Sequence, residues 1–248
     1  MTFRATITAI IAGVITPPFL ILAILCSIFD SGVKGPHFIA RLWARMLLRV
    51  SSVRVDISGI EKIDPEGTYI FAANHSSMFD ILVLLGHLPA RFCWLAKAEL
   101  FKIPLFGTAM KRCGYIPVDR SNPRAGVKSL KRAAERIRNG TSVVIFPEGT
   151  RSKDGRIQSF KHGGFLLALQ SHRPIVPVTI SGANRVLPTQ TLLLRPGPIK
   201  IIIDHPIPTT GLRRNDINHV VQKVQTAILA HHDPEYGQPL NSMGKNYV

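Results

Sequence analysis

The stretch NHSSMFD, residues 74–80, sets His75 and Asp80 five positions apart, directly after the apolar run YIFAA. A carboxylate on one imidazole nitrogen fixes the tautomer and leaves the other nitrogen free to accept a proton. The pair is a candidate general base with its orienting acid. The same residues also read as ordinary helix-start chemistry, with Ser76 or Ser77 as the cap and Ser77 and Asp80 as an S-x-x-D capping box. A second stretch, FPEGTRS at 146–152, again follows a strand-like run. There Gly149 lets the backbone approach a ligand closely, Thr150 offers a hydroxyl, and Arg151 offers a forked donor for phosphate. Glu148 is placed to hydrogen-bond a substrate hydroxyl. Two more cations end strand-like runs: Lys97 after FCWLA and Arg120 at the close of GYIPVDR. Each by itself reads as a surface charge. Gathered on one edge of a parallel or mixed sheet, they would set a base at one end and phosphate-binding cations at the other.

These residues need elements that bring them together. From Val53 onward, short runs rich in Val and Ile alternate with helical stretches, the pattern of an α/β domain. VRVDIS, TYIFAANH, FCWLAK, GYIPVD, TSVVIF, PIVPVTI and KIIID are expected strands. Helices are expected in SMFDILVLLGHL, over 125–139 and over 214–231. In the second of these Val127, Leu130, Ala134 and Ile137 are expected inward, Lys128, Lys131, Arg132 and Arg138 outward, with Gly140 ending the helix. A mixed, largely parallel sheet flanked by helices would gather the strand-end loops on one edge, where open α/β sheets bind ligands.

Composition narrows the partners. Thirty-one Lys and Arg against fifteen Asp and Glu give a formal charge of +16, so anionic partners are expected. No nucleic-acid motif occurs, and the 7% of aromatic residues are not interleaved with the basic ones, which argues against nucleic acid. Cys26, Cys93 and Cys113 show no CxxC spacing, so neither a disulfide framework nor a zinc site is expected. Between Arg4 and Asp30 lie twenty-five uncharged residues, enough as a helix to cross a ~30 Å hydrocarbon layer. Pro17 and Pro18 in its middle predict either a kinked span or two short helices forming a membrane hairpin. The basic residues that follow, Lys34 to Arg54, place the C-terminal side in the cytoplasm. HFIARLWARMLLRV has Phe38, Leu42, Met46 and Val50 in one helical row and Arg41, Arg45 and Arg49 in another, as in an interfacial amphipathic helix. The expected organisation is a membrane-embedded segment at 1–35, an interfacial helix at 36–52, a catalytic domain at 53–231 and a polar, flexible tail at 232–248.

NHSSMFD, GYIPVDR, FPEGTRS and IVPVTI, in this order, resemble the four motifs of the glycerolipid acyltransferases, most closely the bacterial type of 1-acyl-glycerol-3-phosphate acyltransferase. The resemblance covers about residues 53 to 205. It implies that His75 is the general base oriented by Asp80. It also implies that Lys97, Gly114, Arg120, Glu148, Gly149, Thr150 and Arg151 bind substrate, with Pro177 as the fourth-motif proline. His162 in FKHGGF departs from a second basic residue common in the family. The implied reaction transfers an acyl group from acyl-CoA or acyl-carrier protein to the free hydroxyl of lysophosphatidate, giving phosphatidic acid at the inner membrane, with no cofactor and no metal.

Other functions stay open at this stage. Lyso-ornithine lipid and other lysophospholipids are alternative acceptors that use the same motifs. A hydrolase built on Ser76 or Ser77 lacks a G-x-S-x-G elbow. A basic, non-catalytic membrane-surface protein would differ from an acyltransferase in showing no turnover that depends on His75.

Overall fold

The computed structural model describes residues 3–30, 33–119, 123–191 and 193–237. Helix α1 (Phe3–Phe29) carries both prolines inside one continuous helix, so the span is not split into two. Each proline leaves the carbonyl four residues back without its usual N–H. Beside this weak point Thr16 Oγ1 donates to Ala12 O at 2.6 Å and accepts the indole N–H of Trp43 at 3.0 Å. Trp43 belongs to α2 (Lys34–Val50), which folds back antiparallel along α1. By length and composition α1 is apolar and long enough to cross a membrane, and little of it is buried.

Helix α2 keeps Phe38, Leu42 and Met46 of the expected apolar row together and adds a buried side. Ala44, Leu47 and Leu48 are buried, whereas Phe38, Leu42 and Met46 lie exposed in a row. Arg45 is not part of a free basic stripe, because its Nε donates to Gly86 O at 2.8 Å. Gly86 lies in the last turn of α3 (Phe79–His87), where carbonyls lack partners within the helix.

Seven strands form one sheet. They are β1 (Arg54–Ser58), β2 (Ile70–Ala73), β3 (Phe92–Lys97), β4 (Ile116–Val118), β5 (Ser142–Ile145), β6 (Ile175–Ser181) and β7 (Pro198–Ile203), in the order β1-β7-β6-β2-β5-β3-β4. The five strands from β6 to β4 run parallel, while β7 runs antiparallel to β6 and parallel to β1. The expected mixed, largely parallel sheet is therefore present. Parallel strands covered on both faces read as continuous apolar runs, and Ile70, Phe71, Ala72 and Ala73 are each wholly buried.

The chain steps from β2 to β3 to β4 through α3 and α4 (Phe106–Arg112). It then returns through α5 (Pro123–Arg138) to β5 and through α6 (His162–Ser171) to β6. Right-handed crossovers put α3 and α4 on one face of the sheet and α5 and α6 on the other. Helices α1 and α2 pack with the first group, and α7 (Ile217–His231) packs on α6 and β6. The apolar N-terminal helix and the α5/α6 layer thus lie on opposite sides of the sheet.

Two expectations need correction here. Val127 does not point inward with Leu130, Ala134 and Ile137 but is 54% exposed, because it borders a surface hollow lined also by Leu130, Leu166 and Leu212. Residues 232–237 do not begin a free tail. Asp233 N donates to Ser181 Oγ at 3.0 Å, Arg185 Nη2 donates to Pro234 O at 2.9 Å, and the Tyr236 hydroxyl donates to Asp56 Oδ2 on the edge strand β1. Residues 238–248 lie outside the described residues.

Buried His37 gives the fold a pH dependence. It is 3% exposed, stands edge-on to Phe92, and neither ring nitrogen has a hydrogen-bond partner among the described residues. Burial, aided by the charges of Arg41 and Arg91, pushes its pKa down to about 4. The unfolded chain therefore binds a proton as pH falls through the ordinary histidine value while the folded chain does not. Stability is expected to fall by up to about 3 kcal/mol between roughly pH 6.5 and 4 and to change no further through this group below that. Unfolding midpoints of the full chain and of His37→Phe across this window check it. Equal slopes in the two proteins would remove His37 as the cause.

Candidate active site

Strand β2 ends at Ala73, and the next residue anchors the loop that follows. The Asn74 side chain donates to Ile180 O and accepts from Ile180 N, both at 2.8 Å, tying the end of β2 to β6. His75 is then presented at the strand end. Its Nδ1 lies 2.8 Å from Asp80 Oδ2, and the Asp80 side chain is completely buried. The same oxygen accepts the backbone N–H groups of Ser76 at 2.6 Å and Ser77 at 2.7 Å. With the carboxylate as acceptor, Nδ1 carries the hydrogen and Nε2 keeps its lone pair. The bond from Ser77 N is one half of the expected capping box, while the Ser77 hydroxyl accepts from Phe79 N and donates to Leu187 O. The helix cap and the orientation of the imidazole are therefore served by one carboxylate.

The imidazole plane is held as well as its tautomer. Phe146 stacks on His75 at 3.9 Å between ring centres and 13° between planes, and Trp94 stacks behind Phe146 at 5.7 Å. The face of the base is covered by apolar rings, which exclude water from one side and strengthen electrostatic interactions there.

The FPEGTRS loop lies directly beside the histidine because β5 pairs with β2. Ser152 N donates to His75 O at 2.8 Å. Glu148, expected to meet a substrate hydroxyl, is instead 2% exposed, with Oε1 accepting His75 N at 2.7 Å and Oε2 accepting Gln158 N at 3.1 Å. Burial pushes its carboxyl up, and those two N–H bonds pull it back. Its geometry is that of a clamp on the backbone of the base. Gly149 adopts a positive φ of 77°, and a Cβ there would lie 3.0 Å from Lys161 Nζ. Thr150 is exposed and Arg151 half-buried on the same turn.

Lys97 ends β3 and is exposed on the same edge of the sheet. Arg120 lies outside the described residues. Gly114 is not brought to this edge, for it precedes β4 at the opposite end. With a φ of 75° it closes α4, where Gly114 N bonds Lys111 O and Tyr115 N bonds Met110 O. That pair is a Schellman turn, which needs the left-handed conformation that glycine supplies. Lys97, Arg151 and Lys161 have no ion-pair partner among the described residues. Unpaired cations beside a buried His–Asp pair suit an anionic substrate bearing a hydroxyl.

Two residues escaped the sequence analysis. Lys161 sits next to His162, which drew attention instead, and nothing local signals that its amine lies against Gly149. Thr189 carries no motif at all. Its hydroxyl lies 2.8 Å from both Ser76 O and Ser152 O, sharing one hydrogen between the loops that hold His75 and Arg151. Only the adjacency of β6 and β2 brings its loop there. Thr189→Val should lower kcat/KM by roughly ten- to a hundredfold, matching ~1–3 kcal/mol for buried acceptors left unpaired. Thr189→Ser should restore most of that loss. Steady-state kinetics on both variants decide it, and equal activity of the valine and parent proteins would refute the coupling.

Known proteins share both sequence and fold with this chain. Residues 54–181 match the family described as Acyltransferase. A chloroplastic 1-acyl-sn-glycerol-3-phosphate acyltransferase, BAT2 of Brassica napus, is 40% identical over 176 residues, which are 70% of this chain and 51% of that protein. The 1-acyl-sn-glycerol-3-phosphate acyltransferase of Cocos nucifera is 34% identical over 215 residues, 86% of this chain and 69% of that one. This chain spans about half the length of the chloroplast relatives it matches. In fold it is similar to the crystal structure of the 1-acyl-sn-glycerophosphate acyltransferase PlsC from Thermotoga maritima. The TM-score is 0.80 and the identity 22%, over 99% of this chain and 98% of that chain.

Proposed function

We propose, since this chain belongs to the acyltransferase family, that it transfers a fatty acyl group from a thioester to the free hydroxyl of 1-acyl-glycerol-3-phosphate, giving phosphatidic acid. The observation that carries this is the 2.8 Å contact between His75 Nδ1 and the wholly buried Asp80 carboxylate, which leaves Nε2 as proton acceptor at a strand-end edge furnished with unpaired cations. In the proposed reaction Nε2 takes the hydroxyl proton, the alkoxide oxygen bonds to the thioester carbon, and the C–S bond breaks. The imidazolium then returns the proton to the leaving thiolate. Arg151, Lys97 and Arg120 are the proposed phosphate ligands, and Lys161 is the fourth cation on this edge. Gly149 and Thr150 would let the phosphate approach the backbone of their turn. Glu148 acts from behind, through the backbone of His75.

We further propose that α1 anchors the chain in the cell's inner membrane with the catalytic domain on its cytoplasmic face, which suits a reaction whose acceptor and product both reside in the bilayer. Purified full-length protein is assayed with lysophosphatidate, lyso-ornithine lipid and other lysophospholipids against acyl-CoA and acyl-carrier protein. Lysophosphatidate is expected to give the highest kcat/KM. Folded protein that acylates none of them would end this reading.

A further inference from the structure

On the sheet face away from α1 lies a groove that the proposed chemistry at His75 does not use. Leu130 of α5, Leu166 and Leu169 of α6, and Leu212 form its apolar floor, with Val127 of α5 at its edge, about 350 Å³ in volume. Lys131, Arg213 and Arg214 stand on its rim. All three are exposed, and none has an ion-pair partner among the described residues. The nearby carboxylate of Asp216 is engaged, accepting Arg213 N at 2.7 Å. The exposure of Val127, which its helical position did not lead one to expect, is the lip of this groove. An apolar hollow rimmed by three cations that form no ion pair among the described residues is a surface for a ligand that is both apolar and anionic.

The groove leads toward the site. A second hollow of about 420 Å³ shares Leu166 and Arg214 with the first and continues to His162 at the start of α6. His162 adjoins Lys161, whose amine lies against Gly149 in the loop beside His75. A bound molecule would therefore be elongated, with its anionic end at Arg213 and Arg214 and its other end near the base.

We propose that this groove binds the nucleotide end of acyl-CoA, with the pantetheine arm passing His162 and Lys161 to bring the thioester to His75. The assignment rests on the acyltransferase reading above. The adenine ring suits the leucine floor, with guanidinium groups able to stack on it, and the phosphates suit the three rim cations. A lipid headgroup does not fit the placement, because the groove faces away from the apolar helix α1. A concave hollow of this volume suits a small molecule rather than a flat protein contact.

The test is titration calorimetry of free coenzyme A into detergent-solubilised full-length chain, on the parent, on Arg213→Glu/Arg214→Glu and on Lys131→Glu. Since these side chains are exposed, the variants are expected to fold. Coenzyme A affinity should drop at least tenfold in the double variant and severalfold in the single one. The KM for acyl-CoA should rise in step, with kcat at saturating donor and the KM for lysophosphatidate unchanged. Unchanged coenzyme A affinity would overturn the proposal. So would a rise in KM confined to acyl-carrier protein, which would make the groove a protein-docking surface. Because coenzyme A binding is read without any acceptor, a parent that binds it in this groove yet acylates no lysolipid would refute only the proposed function. A parent that acylates lysophosphatidate but is indifferent to the charge reversals would refute only the groove.

Discussion

His75→Ala is expected to lower kcat by about a thousandfold or more while leaving the fold intact. A positioned general base contributes roughly 10²–10⁴ to rate, and neither carboxylate beside it among the described residues can replace it. Asp80 is fully buried and committed to three donors, and Glu148 has both oxygens on backbone N–H groups. The stability cost should be small, near 1 kcal/mol, because what is lost is one ring stacked on Phe146 and one hydrogen bond. Acyl transfer by the purified variant, alongside its unfolding curve, measures both. Retention of more than a tenth of parental turnover would mean that another group removes the proton. A non-catalytic membrane-surface protein would instead show no turnover in the parent.

Asp80→Asn should damage both rate and stability, and this combination separates the two partners. The carboxylate Oδ2 accepts from His75 Nδ1, Ser76 N and Ser77 N, while Oδ1 is buried without a partner among the described residues. An amide oxygen is a weaker acceptor for those N–H groups than a charged one. If the amide nitrogen faces His75, it donates to Nδ1 and moves the ring hydrogen to Nε2, which abolishes the base. Loss of the required tautomer costs on the order of 10⁴ in rate in the Ser-His-Asp enzymes, and a loss of about 10³ or more is expected here. Stability should fall by about 2–4 kcal/mol, since three buried donors lose their charged acceptor. Kinetics at a temperature where the variant remains folded, compared with its shifted unfolding midpoint, give the two numbers separately. A variant with unaltered stability would show that the loop does not depend on the carboxylate.

Much of this site was legible in the sequence because it is local chemistry repeated at strand ends. His75 and Asp80 are close in sequence, and a tight turn into a helix almost compels their meeting. Lys97 and Arg151 needed only the inference that their strands run parallel, which the unbroken apolar runs indicated. Misplaced residues share a different character. Gly114 was expected at the substrate because the resemblance aligns it with the second motif, yet its positive φ serves the end of α4. Glu148 looked available because it neighbours Gly149 and Arg151, yet its carboxylate is turned inward to the backbone of His75. In both cases the residue type was compatible with two roles, and only the direction of the side chain or turn separates them.

The α/β class, the apolar N-terminal helix and the proximity of His75 to Asp80 are readable from residue pattern alone. The first two follow from periodicity and hydropathy and the third from spacing within a few residues. The tertiary structure decided the order of the strands, and with it everything that depends on neighbours distant in the chain. Because β6 lies beside β2, Thr189 can bridge the carbonyls of Ser76 and Ser152, which are 113 and 37 residues away. Because the chain reverses direction across the sheet after β4, α5 and α6 share the face opposite α1 and leave Val127 at the lip of a basic groove. Hydrophobic pattern says which side of an element is covered, but not which element covers it, and the hydrogen bonds that hold the base arise from that second choice.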